Sequence, residues 1–99
     1  MAVVEVSIVP LGVPGSSLSG HVARVLKVLK ESLLQFELTA MGTIISGDLG
    51  EILQVLRKMH EACFEGEVKR VLTQIRIDDR RDKPASPEQK IRSVMAKLN

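Results

Sequence analysis

The residues of this 99-residue chain best suited to recognising a ligand are hydroxyls and one thioether: Ser7 near the start, and Thr43 and Ser46 in the central run that begins Met41-Gly42. Set beside flexible Met41, the three hydroxyls offer donors and acceptors next to a polarizable apolar surface, a lining suited to a small heteroaromatic ligand. Gly42 is expected to supply a turn with positive φ between two strands. Hydroxyls at such positions also serve as ordinary turn and strand-end groups, so the residues alone leave both roles open.

Other chemistry is poorly served. Gly12, Gly15 and the serines that follow could hold an anion at a helix start, but no GK[ST] follows and a turn with an N-cap accounts for them. His21, His60 and the single Cys63 show neither HxxxH nor CxxC, so no metal site is expected; Cys63 reads as packing. Arg70, Arg76, Arg80 and Arg81 with Asp78, Asp79 and Asp82 read as a paired, solvated strand end or a subunit contact. No set of nucleophile, base and orienting group appears, which argues against an enzyme, and no cofactor is implied.

The elements that must position these groups follow from periodicity. Ala2 to Pro10 alternates as a strand, with Ala2, Val4, Val6 and Ile8 on one side. Pro10, Gly12, Pro14 and Gly15 break it, and Ser16 or Ser17 caps a helix to about Ser32 with Leu18, Val22, Val25, Leu26 and Leu29 as its apolar stripe. Gln35 to Met41 alternates again, and Thr43 to Gly47 follows as its hairpin partner, with the turn near Met41–Gly42. Asp48 with Glu51 resembles a capping box for a second helix running to Cys63, which Gly66 stops.

Val68 to Asp78 makes a long strand with Lys69, Val71, Thr73, Ile75 and Ile77 on one face and Arg70, Leu72, Gln74, Arg76 and Asp78 on the other. A charged loop with Pro84 leads to a last helix, with Ser86 as cap, Pro87 first, and Ile91, Val94, Met95 and Leu98 along one side. The order β-α-β-β-α-β-α matches an α+β ferredoxin-like βαββαβ unit: an antiparallel four-stranded sheet with both helices on one face, plus a C-terminal helix. The other face then carries Val3, Val9 and Leu72 among Glu5, Ser7, Arg70, Gln74 and Arg76. Such a mixture suits a second copy of the chain, the last helix or a ligand.

Composition agrees with this reading. One domain over residues 1–99 is expected from the length, and a chain this short has a thin stability margin that self-association widens. With 44% hydrophobic and 26% charged residues the chain is an ordinary folded one, without a bilayer span. A net charge of +2 is too small to draw nucleic acid or an anionic membrane. One cysteine and no secretory pattern point to the cytoplasm.

Read together, Ser7-Ile8-Val9-Pro10 with Gly12, Met41-Gly42-Thr43 with Gly47, His60-Glu61, and Arg70-Val71 leading to Ile75-Arg76-Ile77-Asp78 and Arg80 resemble the small thiamine-binding, YkoF-like proteins over almost the whole chain. The resemblance implies a non-enzymatic cytoplasmic protein that binds thiamine or its pyrimidine moiety for carriage, sequestration or sensing. It also implies pairing through sheets into homodimers or homotetramers. Ser7, Thr43 and Ser46 would bind polar atoms of the ligand, Met41 its ring, and Gly42 would permit the approach. Ser46 departs from the pattern, standing where the family more often carries an acidic residue.

The same topology serves RNA-recognition and acylphosphatase domains. RNA stacking needs aromatic platforms, and Phe36 and Phe64 are the only aromatics, neither on the open face. Acylphosphatase-like chemistry resembles a site with an arginine in the first loop and an asparagine on a later strand; the only asparagine is Asn99. The alternative that survives is an oligomeric regulatory or structural protein binding another small molecule or an anion.

Overall fold

The computed structural model describes residues 1–15, 19–82 and 87–98. The first strand, β1 (Ala2–Leu11), is the spine of the sheet. Its alternation buries Ala2, Val4 and Val6 and leaves Val3, Glu5 and Ser7 half-buried on the reverse. After α1 (Ser19–Glu31) and β2 (Gln35–Leu38) comes β3 (Thr43–Gly47), which lies antiparallel to β1 from Ala2 opposite Gly47 to Val6 opposite Thr43. On the other side β4 (Arg70–Asp79) pairs with the whole of β1, from Ala2 opposite Asp79 to Leu11 opposite Arg70.

The sheet order is therefore β2-β3-β1-β4, with every neighbouring pair antiparallel. With α1 and α2 (Leu49–Cys63) as crossovers, this is the expected ferredoxin-like α+β fold. Both helices lie on one face. Val25 and Leu29 of α1 and Ile52, Leu56, Met59 and Cys63 of α2 close over Val4, Val6 and Ile45 as one apolar cluster. Full burial of each large side chain there stabilises the fold by about 1.5–3 kcal/mol.

Local chemistry sets the ends of the helices. Asp48, in extended backbone with φ −70° and ψ 129°, accepts the Glu51 N–H at 3.1 Å, so the expected N-cap is formed. At the end of α1, Ser32 Oγ donates to the Leu29 carbonyl and accepts from the Leu34 N–H, and exposed Leu33 takes the left-handed conformation with φ 65°. The cap expected at Ser16 or Ser17, the stripe residue Leu18, Pro84 and the cap at Ser86 lie outside the described residues, as does Asn99.

Three expectations are corrected. The second strand stops at Leu38 rather than Met41, because Thr39 turns the chain. The last strand starts at Arg70 and ends at Asp79, offset from the expected 68–78. Gly42 is not among the glycines with positive φ; it is needed because a Cβ there would lie 2.9 Å from the Val6 carbonyl oxygen. Crowding by a neighbouring strand, not turn conformation, selects glycine at this position.

The face away from α1 and α2 carries the residues expected on it: Val3 opposite Asp78, Glu5 opposite Arg76, Ser7 opposite Gln74 and Val9 opposite Leu72. Glu5 and Arg76 form an exposed ion pair at 3.5 Å. The final helix, α3 (Pro87–Leu98), meets this face only through its first turns, where Pro87, Lys90 and Ile91 adjoin Val3, Glu5 and Asp78 and Lys90 pairs with Asp78. Its apolar stripe is otherwise uncovered: Ile91, Val94, Met95 and Leu98 are 53–73% exposed.

Candidate functional site

β3 has five residues and β1 has ten, so β1 runs on past the end of β3 with only β4 beside it. The missing strand leaves a gap, and a cleft of about 210 Å³ occupies it. Its floor is Val6 to Val9 of β1, one wall is Val22, Val25 and Leu26 of α1 with Met59 of α2 behind, and the other wall is the hairpin from Leu38 to Thr43.

The hairpin wall is held by one side chain. Thr39 donates to the Gly42 carbonyl from both its N–H and its Oγ1, each at 2.8 Å. The same hydroxyl oxygen accepts the Met41 N–H at 3.3 Å and the Gly42 N–H at 3.1 Å. A threonine at the first position of a turn can replace backbone bonds in this way, and here it fixes Met41 at the rim, 85% exposed.

Four of the five residues singled out in the sequence line this cleft: Ser7, Met41, Gly42 and Thr43. Thr43 is opposite Val6 and so lies on the helix-side face; the residue is only 6% exposed, and its hydroxyl, which makes no hydrogen bond among the described residues, is not itself fully buried. Ser7 falls by alternation on the opposite face. Ser46, opposite Val3, is on that opposite face too, buried beside Pro87 and Glu88 at the far end of β3 and outside the cleft lining.

Among the described residues no charged one lines the cleft. The ion pairs lie elsewhere: Arg24 with Glu65 ties α1 to the turn after α2 at 2.6 Å, and Arg80 with Asp82 and Arg81 with Asp79 cluster after β4. There the hydrogen bond from Arg81 holds the Asp79 carboxyl below the usual carboxylate range and raises Arg81 in return. His60 Nδ1 lies 2.6 Å from Thr73 Oγ1 and its ring meets Phe64 edge-on, joining α2 to β4. Among the described residues no cluster of His, Cys, Asp or Glu could hold a metal, and no helix is long and apolar enough to cross a membrane.

A largely apolar slot with the free hydroxyl of Thr43 in its lining and a thioether at its rim can enclose a small planar molecule and orient it by few hydrogen bonds. The walls Val22, Leu26 and Met59 and the turn residue Thr39 were not singled out from sequence. The unequal lengths of the first and third strands were the available signal, since the longer must outrun the shorter.

The family described as thiamine-binding protein matches residues 4–95. Among relatives, the UPF0045 protein YqgV of Bacillus subtilis is 44% identical over 98 residues, covering 95% of this chain and 94% of that protein. The UPF0045 protein MJ1052 of Methanocaldococcus jannaschii is 40% identical over 92 residues, covering 93% and 90%. The crystal structure of MJ1052 superposes with a TM-score of 0.86 over 95% of both chains. A domain named DUF77 from Bacillus cereus, at 24% identity, shares the fold with a TM-score of 0.80 over 91% of this chain and 86% of its own. By the extent of the family match and the identity to these relatives, the chain belongs to the thiamine-binding protein family.

Proposed function

We propose that this protein is a non-enzymatic binder of thiamine or of its pyrimidine moiety, acting as a carrier, sequestering or sensing protein. The observation that carries the reading is the cleft at the end of β3, uncharged among the described residues, where nearly buried Thr43 keeps a hydroxyl without a partner and Met41 stands at the rim. Membership in a family described by thiamine binding supports the ligand class. In this reading Thr43 meets a polar atom of the ligand, Met41 covers its ring and Gly42 keeps the hairpin close to β1, whereas the Ser7 hydroxyl, expected to bind as well, falls on the opposite sheet face and is directed away from the cleft. Ser46, opposite Val3 at the other end of β3, lies outside this cleft and has no part in the reading.

The reading includes self-association through the sheet face that α1 and α2 leave bare. It is supported by the mixed residues of that face and by the uncovered stripe of α3. A cytoplasmic location is supported by Cys63, a buried free thiol.

Titration calorimetry with thiamine and with its pyrimidine fragment tests the ligand. Saturable heat is expected, weakened about tenfold in Thr43→Val, where one hydrogen bond is lost with little change in shape. Absence of heat at millimolar ligand with folded protein would turn the reading toward an oligomeric regulatory or structural protein that takes another small molecule.

A further inference from the structure

The polar groups that a cleft offers need not be side chains. In an extended strand a residue's N–H and C=O leave on the same edge, and successive residues use opposite edges. The Val6 carbonyl lies against Gly42, so Val6 faces the β3 edge, and alternation turns Ile8 and Pro10 the same way. Ser7 and Val9 then turn toward β4, where Gln74 and Leu72 lie opposite them.

Beyond Val6 there is no β3 residue for this edge to pair with. Ile8 therefore presents one N–H and one C=O, side by side, to a cleft whose floor it forms, and no hydrogen bond to another group is recorded for it among the described residues. A backbone pair left unmatched in an apolar slot is a strong recognition element, because whatever enters must satisfy it or leave it stranded.

Pro10 decides what can enter. Its missing N–H would have pointed along this same edge, so an added strand would find no donor there, and the edge is blocked against strand addition one step past Ile8. At the other end Gly42 and the Thr39 turn close the slot. Only one donor–acceptor pair remains between these limits, and it matches a small ring rather than a peptide. With no charge among the described residues of the lining, a ring that is neutral where it is enclosed is the one that fits.

Resting on the ligand-binding reading above, we propose that the backbone N–H and C=O of Ile8 recognise the ligand, and that the group recognised is a neutral heteroaromatic edge with a ring nitrogen acceptor adjacent to an amino donor. The ring nitrogen accepts from the Ile8 N–H and the exocyclic amine donates to the Ile8 carbonyl. Thr43 Oγ1, about 7 Å back along the ladder, takes a second polar point of the molecule. Specificity for the amino edge is then set by main chain, and side-chain substitution around it tunes fit without abolishing that preference.

The test is amide-resolved NMR of the full chain, labelled with nitrogen-15 and titrated with 4-amino-2-methylpyrimidine and separately with 2,4-dimethylpyrimidine, which keeps the ring and loses the donor. The expected result is a saturable downfield shift of the Ile8 amide with the amino compound, and binding at least tenfold weaker for the dimethyl compound. Saturable shifts at Met41 and Thr43 with Ile8 unmoved, or equal affinity for the two rings, would overturn the main-chain recognition and leave the cleft as a ligand site. A folded protein with no shift anywhere at millimolar concentrations would overturn both.

Discussion

A methyl group at position 42 would lie 2.9 Å from the Val6 carbonyl oxygen, so Gly42→Ala forces the hairpin away from β1 and distorts the cleft wall. Destabilisation by about 1–3 kcal/mol is expected from urea unfolding. Gly20→Ala, with nothing within 4 Å of its Cβ and a helical setting in α1, should instead be neutral or stabilise by up to about 1 kcal/mol. Gly42 was legible in the sequence as a special position, but its cause was not: periodicity carries no record of how near two strands come. Cys63 presents the reverse case, where a buried packing role could be read from the helical stripe alone. Burial pushes its thiol up, with Arg24 opposing, so the neutral form is favoured in the fold. Stability linked to this group is full below the usual thiol range and falls as pH rises through the raised value. A thiol reagent should leave native protein unlabelled at pH 8 and label it fully in denaturant; rapid native labelling would contradict the burial.

At the scale of elements, the second helix was the most legible, because its signals are local. Asp48, Glu51 and the stripe from Leu49 to Cys63 fall within one stretch of sequence, and the cap forms at 3.1 Å as their spacing requires. Asp48→Ala should destabilise the protein by about 1 kcal/mol, measured as a shift in the urea midpoint with unchanged slope. The end of β2 was less legible. Alternation continues through Ala40 and Met41, so the pattern gives no sign of the turn; Thr39 makes it, by three side-chain hydrogen bonds across three residues. Since that turn shapes the rim of the cleft, the part of the site set by hydroxyl geometry lay beyond periodicity. The part set by strand length was open to inspection.

For the whole molecule, the division into a covered and a bare sheet face could be read from the alternation of β1, and its burial reproduces it; on the edge strand β4 the helices do not complete it, and Ile75 and Ile77 are 42% and 48% exposed beside Leu72 at 48%. The position of α3 could not, because its apolar side meets little of its own chain and is aimed by a few contacts at its start. Bare sheet and bare helix together are the surfaces on which the proposed self-association would rest, and a chain of this size would gain stability from it. Light scattering should give the wild type a mass at least twice that of one chain, and Leu72→Lys, which puts a charge on the 48% exposed leucine opposite Val9, should lower it toward one. A wild type that runs as a single chain would remove self-association from the account. The binding site itself is tested most directly by the crystal structure of the protein grown with thiamine's aminopyrimidine fragment. The account predicts ring density between Val22 and Met41, edge-on to Ile8 and within reach of Thr43. A ring bound instead on the bare face, near Val3 and Ile91, with the space beside Ile8 empty, would contradict it.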